Sequence, residues 1–440
     1  MKYQNMNPET KAIYQSKLTT PEEAVQMVKS GDTVYYGTNV STASGINNIL
    51  AKRENELENV TVVGASCFRP NGLLDPSSRA FHPSTFYFGT SERGAQKGKY
   101  VNYTSVHLSE TDHWVRSVVK PNVAFIPVSM PDENGYMSYG PAGLVCGPFL
   151  LETAQTIVLV VNPQVPYMLS DDRVHVSQAT CIVEMDEPLV QVPNLEPSPE
   201  LETISRFIAE ETPDGCCIQM GIGDLATAIG FGLREKNDLG VHTEMIGDSI
   251  MDLVKRGNVT NAHKGFLPGV TSGVFLMGTQ ELYDWADWNE GLRFMPPCVG
   301  NNIVNIAKND NVRSVNTALE IDLAGQVVAD NIAGRQYSSV DGQLDYVIGA
   351  QLSRGGKSFI AMTATHSRNG QLYSNIVARL RPETFVTTPR SCVQYVVTEY
   401  GCVNLKDLAM RERVLALIGL AHPRFRDQLR EEAKEYGLIP

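Results

Sequence analysis

The sequence predicts an α/β protein made of two related, open domains, each with a mostly parallel sheet and flanking helices. Short runs of β-branched and aromatic residues bounded by glycine alternate with segments of helical spacing. This alternation is typical of parallel strands that are buried on both faces. The chain also repeats itself, because residues 30–44 and 214–228 each contain a strand pattern, a glycine turn and a small-residue helix start. We interpret the repeat as a duplicated domain; the alternative is the general likeness of any two strand–helix units.

The individual elements follow from local signals. Apolar runs predict strands over residues 32–37, 59–64, 123–128 and 156–162. Helical spacing predicts a helix over residues 21–29, for which Thr20 is the N-cap and Gly31 closes the end. A further helix is predicted over 45–56, a strand over 241–245, and two last helices near 411–420 and 427–436.

The division into domains is predicted from length and proline content. A chain of 440 residues is long enough for two domains of ordinary size. Pro193, Pro197 and Pro199 lie close together, disfavour helix and indicate an exposed connection. We therefore predict a first domain over residues 1–195 and a second over 196–440.

Composition and charge exclude several classes of protein. The net charge of −12 argues against nucleic-acid binding, which usually needs a basic face. The sequence has no run of about eighteen apolar residues and no apolar core of a secretory signal near its start. We therefore expect no membrane association. The 8 cysteines form no Cys-x-x-Cys pair, which is typical of reduced thiols and favours a cytoplasmic enzyme.

A glycine-rich turn over residues 221–226 follows a strand pattern and begins a helix pattern. Its Gly-x-Gly-x-x-Ala form, with Glu244 about twenty residues later, matches a dinucleotide-binding turn and makes an NAD-dependent oxidoreductase one alternative. The same backbone N–H groups could bind CoA phosphates or an oxyanion. Tight packing of a helix on a strand is the third interpretation, and the motif alone leaves all three open.

Glu244 ends a short apolar segment and precedes a glycine turn. A carboxylate among apolar residues loses part of its solvation, and carboxylates do form covalent intermediates in enzymes. Spacing alone equally permits a solvated loop acid. His107, Glu110, Asp112 and His113 are close in sequence but fit no standard zinc pattern, so we predict no metal site.

Eight motifs resemble, in order along the chain, the acetyl-CoA hydrolase/transferase family (family I CoA-transferases), close to its butyryl-CoA:acetate and 4-hydroxybutyrate CoA-transferases. They are Pro-Asp-Glu-Asn-Gly-Tyr at 131–136, Gln-Met-Gly-Ile-Gly at 219–223, His-Thr-Glu at 242–244, Phe-Leu-Met-Gly-Thr-Gln-Glu at 275–281, Asn-Thr-Ala-Leu-Glu-Ile at 316–321, Asp-Gly-Gln-Leu-Asp at 341–345, Val-Thr-Glu-Tyr-Gly at 397–401 and Ala-His-Pro at 421–423. The resemblance covers about residues 15–436, and ordered matches are much more specific than any single motif.

The resemblance implies two related α/β domains with the active site in the cleft between them. It also implies ping-pong transfer of CoA from an acyl-CoA to a small carboxylic acid. Glu244 would attack the acyl-CoA to give a mixed anhydride, and the thiolate of CoA would return to give a glutamyl-CoA thioester. No metal or permanently bound cofactor is needed, because CoA is both substrate and part of the covalent intermediate. The resemblance further implies a homodimer or homotetramer.

The resemblance also assigns roles to residues that match the family motifs. Glu244 would be the nucleophile, and Gly342 would supply an oxyanion-hole N–H group. Asn316 and Gln343 would line the site of the CoA thioester. Gly221 and Gly223 would form the back of the same CoA-binding pocket.

This sequence departs from the family pattern at two places. Relatives usually carry Gly-Gly-Gln where this chain has Asp341, Gly342 and Gln343. An inward anionic side chain should oppose developing negative charge, so we favour an outward orientation of Asp341.

The second departure lies in the first domain, in loops that shape the acyl pocket of relatives. Asn39, Cys67 and Arg69 are the candidates there. Arg69 is unexpected beside a simple fatty-acyl tail, and an Arg side chain can bind a carboxylate through two hydrogen bonds. We hypothesise that Arg69 binds the second carboxylate of a dicarboxylic substrate; solvent or a CoA phosphate is the alternative partner.

CoA transfer between an acyl-CoA and a small carboxylate is therefore the leading functional prediction. Net hydrolysis of acyl-CoA is an alternative within the same family. An NAD-dependent oxidoreductase that uses the Gly221 turn is an alternative from another class. The departure at Asp341 also leaves open a CoA-binding protein without catalytic activity.

Overall fold

The structure is a computed structural model that describes residues 6–193, 196–221 and 223–440. The chain forms two compact units, of which unit 1 comprises Met1–Val192 and Ser272–Gly300, and unit 2 comprises Pro193–Thr271 and Asn301–Pro440. The sequence assigned the whole of 196–440 to the second domain, whereas Ser272–Gly300 packs within unit 1.

Contacts far apart in sequence explain why Ser272–Gly300 belongs to unit 1. The Tyr283 hydroxyl donates to the Val190 carbonyl oxygen at 2.7 Å. The rings of Tyr167 and Trp288 stack with their centroids 3.8 Å apart. Neither contact is visible in local sequence patterns, so proline content alone could not place this segment.

Unit 1 contains a mostly parallel sheet. Its described strands are β1 Thr33–Thr38, β2 Ser41–Thr42, β3 Val60–Ala65, β4 Phe81–Thr85, β5 Asn102–Tyr103, β6 Val123–Val128, β7 Thr156–Val161 and β8 Cys181–Glu184. The strand order is β8-β7-β6-β1-β3-β4-β5, and each neighbouring pair in this order is parallel. The short strand β2 pairs with β1 in antiparallel orientation.

Unit 2 contains a second sheet of the same kind. Its described strands are β9 Cys217–Gln219, β10 Gly240–Val241, β11 Val312–Thr317, β12 Lys357–Ala361, β13 Tyr395–Thr398 and β14 Gly401–Asn404. The order is β10-β9-β11-β12-β13-β14, and only the last pair among these strands is antiparallel.

The two sheets share a topology, and this confirms the predicted duplication. In unit 1, β1 lies between β3 and β6, and β7 and β8 follow outward from β6. In unit 2, β9 lies between β10 and β11, and β12 and β13 follow outward from β11. The repeated sequence segments contain the central strands β1 and β9, and the helices Ser44–Ala51 and Asp224–Gly232 follow these strands.

Helices connect most of the strands. In unit 1 the described α-helices are Pro8–Lys17, Pro21–Val25, Ser44–Ala51, Thr90–Ala95, Thr111–His113, Gly140–Gly143, Gly147–Thr153, Gln280–Ala286 and Pro297–Gly300. Shorter helical segments are the 3₁₀ turns Gly72–Leu74, Leu108–Glu110 and Val176–Gln178 and the π-helix Trp114–Val119. In unit 2 the described α-helices are Pro199–Glu210, Asp224–Gly232, Asp248–Lys255, Ile303–Ala307, Gln343–Leu352, Met410–Leu420 and Pro423–Glu435. Short strands outside the two sheets are Tyr136–Met137, Val174–His175, Met245–Ile246, Thr271–Gly273, Phe275–Leu276, Leu292–Phe294, Glu320–Asp322, Val327–Val328, Asn331–Ile332, Arg335–Gln336, Thr365–Arg368, Gln371–Ser374 and Ile376–Val377.

Local signals predicted most elements of the first half to within a few residues. The first four strand predictions correspond to β1, β3, β6 and β7. Thr20 is the N-cap of Pro21–Val25, where it forms a capping box with Glu23. Among the described residues, no helix is long and apolar enough to cross a membrane.

The predicted strand over 241–245 is wrong, because the chain turns between the short strands Gly240–Val241 and Met245–Ile246. The Thr243 hydroxyl lies 3.1 Å from the Met220 carbonyl oxygen and 3.2 Å from the Met245 carbonyl oxygen. These bonds stabilise the turn and leave Glu244 outside the strand ladder.

Candidate active site around Glu244

Glu244 lies just beyond the carboxyl end of β10, which is the edge where open α/β sheets bind ligands. The Val241 N–H donates to Asn261 Oδ1 at 2.9 Å, and the His242 N–H donates to the Ile218 carbonyl oxygen at 3.3 Å. The strand is therefore anchored on both sides immediately before the turn that carries Glu244.

His242 has a structural environment. It is buried, and its ring centroid lies 5.5 Å from that of Phe266 and 6.3 Å from that of Tyr346. Its Nδ1 atom lies 3.3 Å from Asn309 Nδ2. These contacts fix the backbone before Glu244, so the buried His supports the position of the carboxylate.

Gly342 lies directly against the Glu244 carboxyl group. A Cβ atom on Gly342 would overlap both Glu244 Oε2 and Asn301 Nδ2. Gly342 has φ −92° and ψ 9°, values that other residues can adopt, so lack of space is what requires glycine here. Gly342, the predicted source of an oxyanion-hole N–H group, thus lies against Glu244 in unit 2, and the roles of both residues stay predictions.

Asn301 is a site residue that sequence reasoning missed. Its Nδ2 atom donates to Glu244 Oε2 at 2.8 Å and approaches Asp345 Oδ2 at 3.5 Å. The side chain is 0% exposed, and its Oδ1 atom is buried without a hydrogen-bond partner. Asn301 lies 57 positions after Glu244 in the chain, so no spacing rule pointed to it.

The expected outward orientation of Asp341 is wrong. The Asp341 carboxyl group is hydrogen-bonded to the Glu244 carboxyl group and accepts the Gly342 N–H. Asp341 has φ 50°, in the left-handed region that Asp tolerates better than most residues. Its own N–H donates to Ser339 Oγ at 3.2 Å. The expected orientation assumed that Glu244 and Asp341 are both negatively charged and repel each other. When the two carboxyl groups share one proton, they form a hydrogen bond instead.

The electrostatics of this acid pair follow from burial. Burial is the main reason, and the nearby Asp341 charge the second, why the pKa of Glu244 lies well above its usual range. The hydrogen bond from Asn301 acts in the opposite direction and lowers this pKa. Burial, with a smaller contribution from the nearby Asp345 charge, raises the pKa of Asp341 to about 7, against the hydrogen bonds from Glu244 and the Gly342 N–H group that lower it. The pair therefore holds a shared proton near neutral pH.

The other predicted CoA-site residues surround the carboxyl ends of β9 and β11, where the strand order of the unit 2 sheet reverses. Gly223 has φ 87° and is the N-cap of Asp224–Gly232, whereas Ile222 lies outside the described residues. A Cβ atom placed on Gly221 would lie 3.9 Å from the Met245 Cε atom. Asn316 Nδ2 donates to Ser314 Oγ at 2.9 Å.

Gln343 makes structural hydrogen bonds in the described structure. Its Nε2 atom donates to the Thr317 carbonyl oxygen at 2.8 Å, and its Oε1 atom accepts from the Thr388 hydroxyl at 2.8 Å. The bond to Thr317 ties the start of the helix Gln343–Leu352 to the end of β11, and the bond to Thr388 holds the same side chain from another segment. They thereby position Asp341 and Gly342.

The acyl-pocket candidates all lie in unit 1. Asn39 follows β1 with φ 57°, its N–H donates to the Ala65 carbonyl oxygen at 2.8 Å, and its buried Oδ1 atom has no hydrogen-bond partner. Cys67 belongs to the hydrophobic core, and burial raises the pKa of its thiol to about 11. The Cys67 N–H donates to the buried Glu92 carboxylate at 3.1 Å.

Arg69 lines a small cavity of unit 1 together with Val40, Pro127 and Glu187. Its guanidinium group donates to the Pro188 carbonyl oxygen. The Arg69 charge also lowers the pKa of Glu187 against the stronger effect of burial. The Pro188 carbonyl oxygen is therefore already a hydrogen-bond partner of this guanidinium group, and the Glu187 charge lies close enough to interact with it.

The fold and the site in unit 2 define an α/β enzyme with an enclosed carboxylate as its candidate nucleophile. The acetyl-CoA hydrolase/transferase N-terminal domain matches residues 1–193, and the acetyl-CoA hydrolase/transferase C-terminal domain matches residues 278–433. The chain therefore belongs to the acetyl-CoA hydrolase/transferase family.

Two curated relatives and one solved structure illustrate the similarity. The chain is 35% identical to a butyryl-CoA:acetate CoA-transferase of Anaerostipes caccae, with 97% of each chain covered. It is 34% identical to a succinyl-CoA:cyclohexane-1-carboxylate CoA transferase of Geobacter metallireducens, again with 97% of each covered. The crystal structure of RipA from Yersinia pestis matches with a TM-score of 0.91 and 34% identity, over 98% of this chain and 100% of that chain.

Proposed function

We propose that this protein transfers CoA between an acyl-CoA and a small carboxylic acid through a glutamyl-CoA thioester on Glu244. The observation that supports this most is the packing of the Glu244 carboxyl group against Gly342 and Asn301. If Glu244 served only to stabilise the fold, the site would not require a residue without a side chain at position 342. The names of the two relatives support the class of reaction.

In the first half-reaction, a Glu244 carboxylate oxygen attacks the acyl carbonyl, a C–O bond forms, the C–S bond breaks and the thiolate of CoA leaves. The thiolate then attacks the Glu244 carbonyl carbon of the mixed anhydride. The first carboxylic acid leaves as its carboxylate, and the glutamyl-CoA thioester remains. A second carboxylate reverses these steps, so CoA transfer needs no net proton.

Asn301 and Gly342 have distinct roles in this scheme. The Asn301 amide holds one Glu244 oxygen at 2.8 Å and thereby aims the other. In the structure the Gly342 N–H group donates to the Asp341 carboxyl group. During the reaction it leaves that carboxyl group and donates instead to the carbonyl oxygen that gains negative charge when the carbonyl is attacked. Gly221, Gly223, Asn316 and Gln343 are proposed to border the CoA thioester.

We propose short monocarboxylic acyl groups as substrates, with Asn39, Cys67 and Arg69 shaping the acyl site. The Arg69 guanidinium group already donates a hydrogen bond to the Pro188 carbonyl oxygen and interacts with the Glu187 charge, which weakens its attraction for a second substrate carboxylate. We also propose a cytoplasmic homodimer or homotetramer without a bound metal or permanent cofactor. Size-exclusion chromatography with light scattering would measure the oligomeric state.

Trapping of the intermediate tests the proposed function. The enzyme is mixed with butyryl-CoA without an acceptor acid, treated with borohydride, digested and measured by mass spectrometry. Reduction of a glutamyl thioester to an alcohol lowers the mass of the Glu244 peptide by about 14 Da. Glu244→Gln is the matched control, and an unmodified peptide from the native enzyme with butyryl- and succinyl-CoA would refute the proposal.

A further inference from the structure

The Asp341 carboxyl group contacts the proposed nucleophile but has no task in CoA transfer. It is hydrogen-bonded to Glu244 and stands next to the Gly342 N–H group. Exchange of CoA between two carboxylates moves no net proton, so that reaction does not need a second carboxyl group. A group placed this close to the reacting carbon suits a step in which a proton must move.

We propose that Asp341 is the general base that lets water attack the glutamyl-CoA thioester, which gives this enzyme an acyl-CoA hydrolase activity besides CoA transfer. The inference rests on the proposed thioester at Glu244. Water then competes with the acceptor carboxylate for the same intermediate.

The atoms balance in this step. Asp341 accepts one proton of water as the water oxygen bonds to the Glu244 carbonyl carbon. The tetrahedral adduct collapses, the C–S bond breaks, and Asp341 returns the proton to the thiolate of CoA. The products are free CoA and the Glu244 carboxylic acid, which donates its proton in a hydrogen bond to ionised Asp341. This final state has the carboxyl–carboxyl hydrogen bond seen in the structure.

Asn301 provides an independent feature that suits a water molecule. Its Nδ2 atom bonds Glu244 Oε2 at 2.8 Å, so the same donor can hold the thioester carbonyl oxygen when negative charge develops there. Its Oδ1 atom is fully buried and has no hydrogen-bond partner. A buried acceptor without a partner is costly, and the second O–H group of the attacking water can satisfy it.

The protonation behaviour agrees with the geometry. A general base works best when its pKa lies near the working pH. Burial raises the pKa of Asp341 to about 7, so a large fraction is ionised at neutral pH.

The test measures the lifetime of the intermediate in native enzyme, Asp341→Asn and Asp341→Gly. Each is mixed with butyryl-CoA in heavy-oxygen water without an acceptor acid, and both the thioester and the released CoA are followed with time. Asp341→Gly guards against misfolding, because φ 50° suits glycine at least as well as Asp. Water attack at Glu244 places one heavy oxygen in the Glu244 carboxyl group.

We expect the thioester to decay about 100-fold more slowly in both variants, as is typical for loss of a general base. The rate of thioester decay in the native enzyme should fall as the pH drops through the pKa of Asp341, which burial raises. Decay at the native rate in both variants overturns the role of Asp341 while leaving the thioester intact as an intermediate. Heavy oxygen that enters only butyrate in the first turnover also overturns it, because water then attacks elsewhere. Absence of the thioester in the native enzyme overturns the proposed function itself, and this inference with it.

Discussion

Replacement of Gly342 by alanine adds a single methyl group next to the Glu244 carboxyl group. The backbone conformation at Gly342 is open to alanine, but the new methyl group would overlap Glu244 Oε2 and Asn301 Nδ2. Either the Glu244 carboxyl group or the loop must move, and the hydrogen bond from Asn301 to Glu244 is then lost. The variant thus tests whether the position of the carboxylate matters for the reaction.

The expected magnitude follows from that hydrogen bond. A hydrogen bond to a charged group contributes about 1.5–3 kcal/mol. Because about 1.4 kcal/mol corresponds to a tenfold change in rate, kcat/KM should fall by about 10- to 150-fold. A displacement of the reacting group of about 1 Å predicts a loss of similar size.

The assay is CoA transfer from butyryl-CoA to acetate, with thermal unfolding measured in parallel. Gly419→Ala is the matched control in the same unit, because Gly419 lies in the helix Met410–Leu420 and a Cβ there meets no atom within 4 Å. That control should keep its activity and gain about 0.5–1 kcal/mol of stability. A kcat/KM of Gly342→Ala within about twofold of the native value would refute the packing argument.

Three further predictions address the charges and the acyl site. The transfer rate should rise with pH as Glu244 loses its proton, because burial and the Asp341 charge raise the pKa of the Glu244 carboxyl group and only the carboxylate is nucleophilic; a rate that does not depend on pH would contradict this. Asn301→Asp should lower kcat/KM more than Asn301→Ala, because it adds a carboxyl group beside Glu244, and steady-state kinetics at pH 7 would show the reverse order if Asn301 only filled space. Arg69→Ala should reduce kcat/KM equally for butyryl- and succinyl-CoA, because the guanidinium group is already bonded to the Pro188 carbonyl oxygen; a loss confined to succinyl-CoA would support the dicarboxylate hypothesis instead.

The sequence predicted the features of the fold that depend on local patterns. Apolar runs bounded by glycine predicted β1, β3, β6 and β7, and the repeated segments predicted the shared topology of the two sheets. The membership of Ser272–Gly300 in unit 1 depends on partners such as Val190 and Tyr167, which lie about ninety or more positions away. Periodicity carries no information about such contacts.

The site was predictable to a similar extent. Glu244 and Gly342 came from ordered motifs of the family, and the structure places them in contact. Asn301 was missed because its role depends on a single hydrogen bond between distant positions. The orientation of Asp341 was wrong because the argument from charge repulsion left out the shared proton, which burial favours by raising the pKa of both acids.

The duplication explains how one topology provides two kinds of chemistry. After the carboxyl end of the central strand, unit 1 has Asn39, whereas unit 2 has Gly223 at the equivalent position of the repeat. The strand next to each central strand then ends differently: β3 leads into the loop of Cys67 and Arg69, and β10 leads into Glu244. Because both loops leave the same edge of equivalent strands, a change of loop sequence alone is enough to replace an apolar, Arg-lined cavity by an acid pair. If the proposed function holds, substitutions in the loop of unit 1 should change which acyl group is accepted, while substitutions in the loops of unit 2 should change whether the thioester forms and how long it lasts.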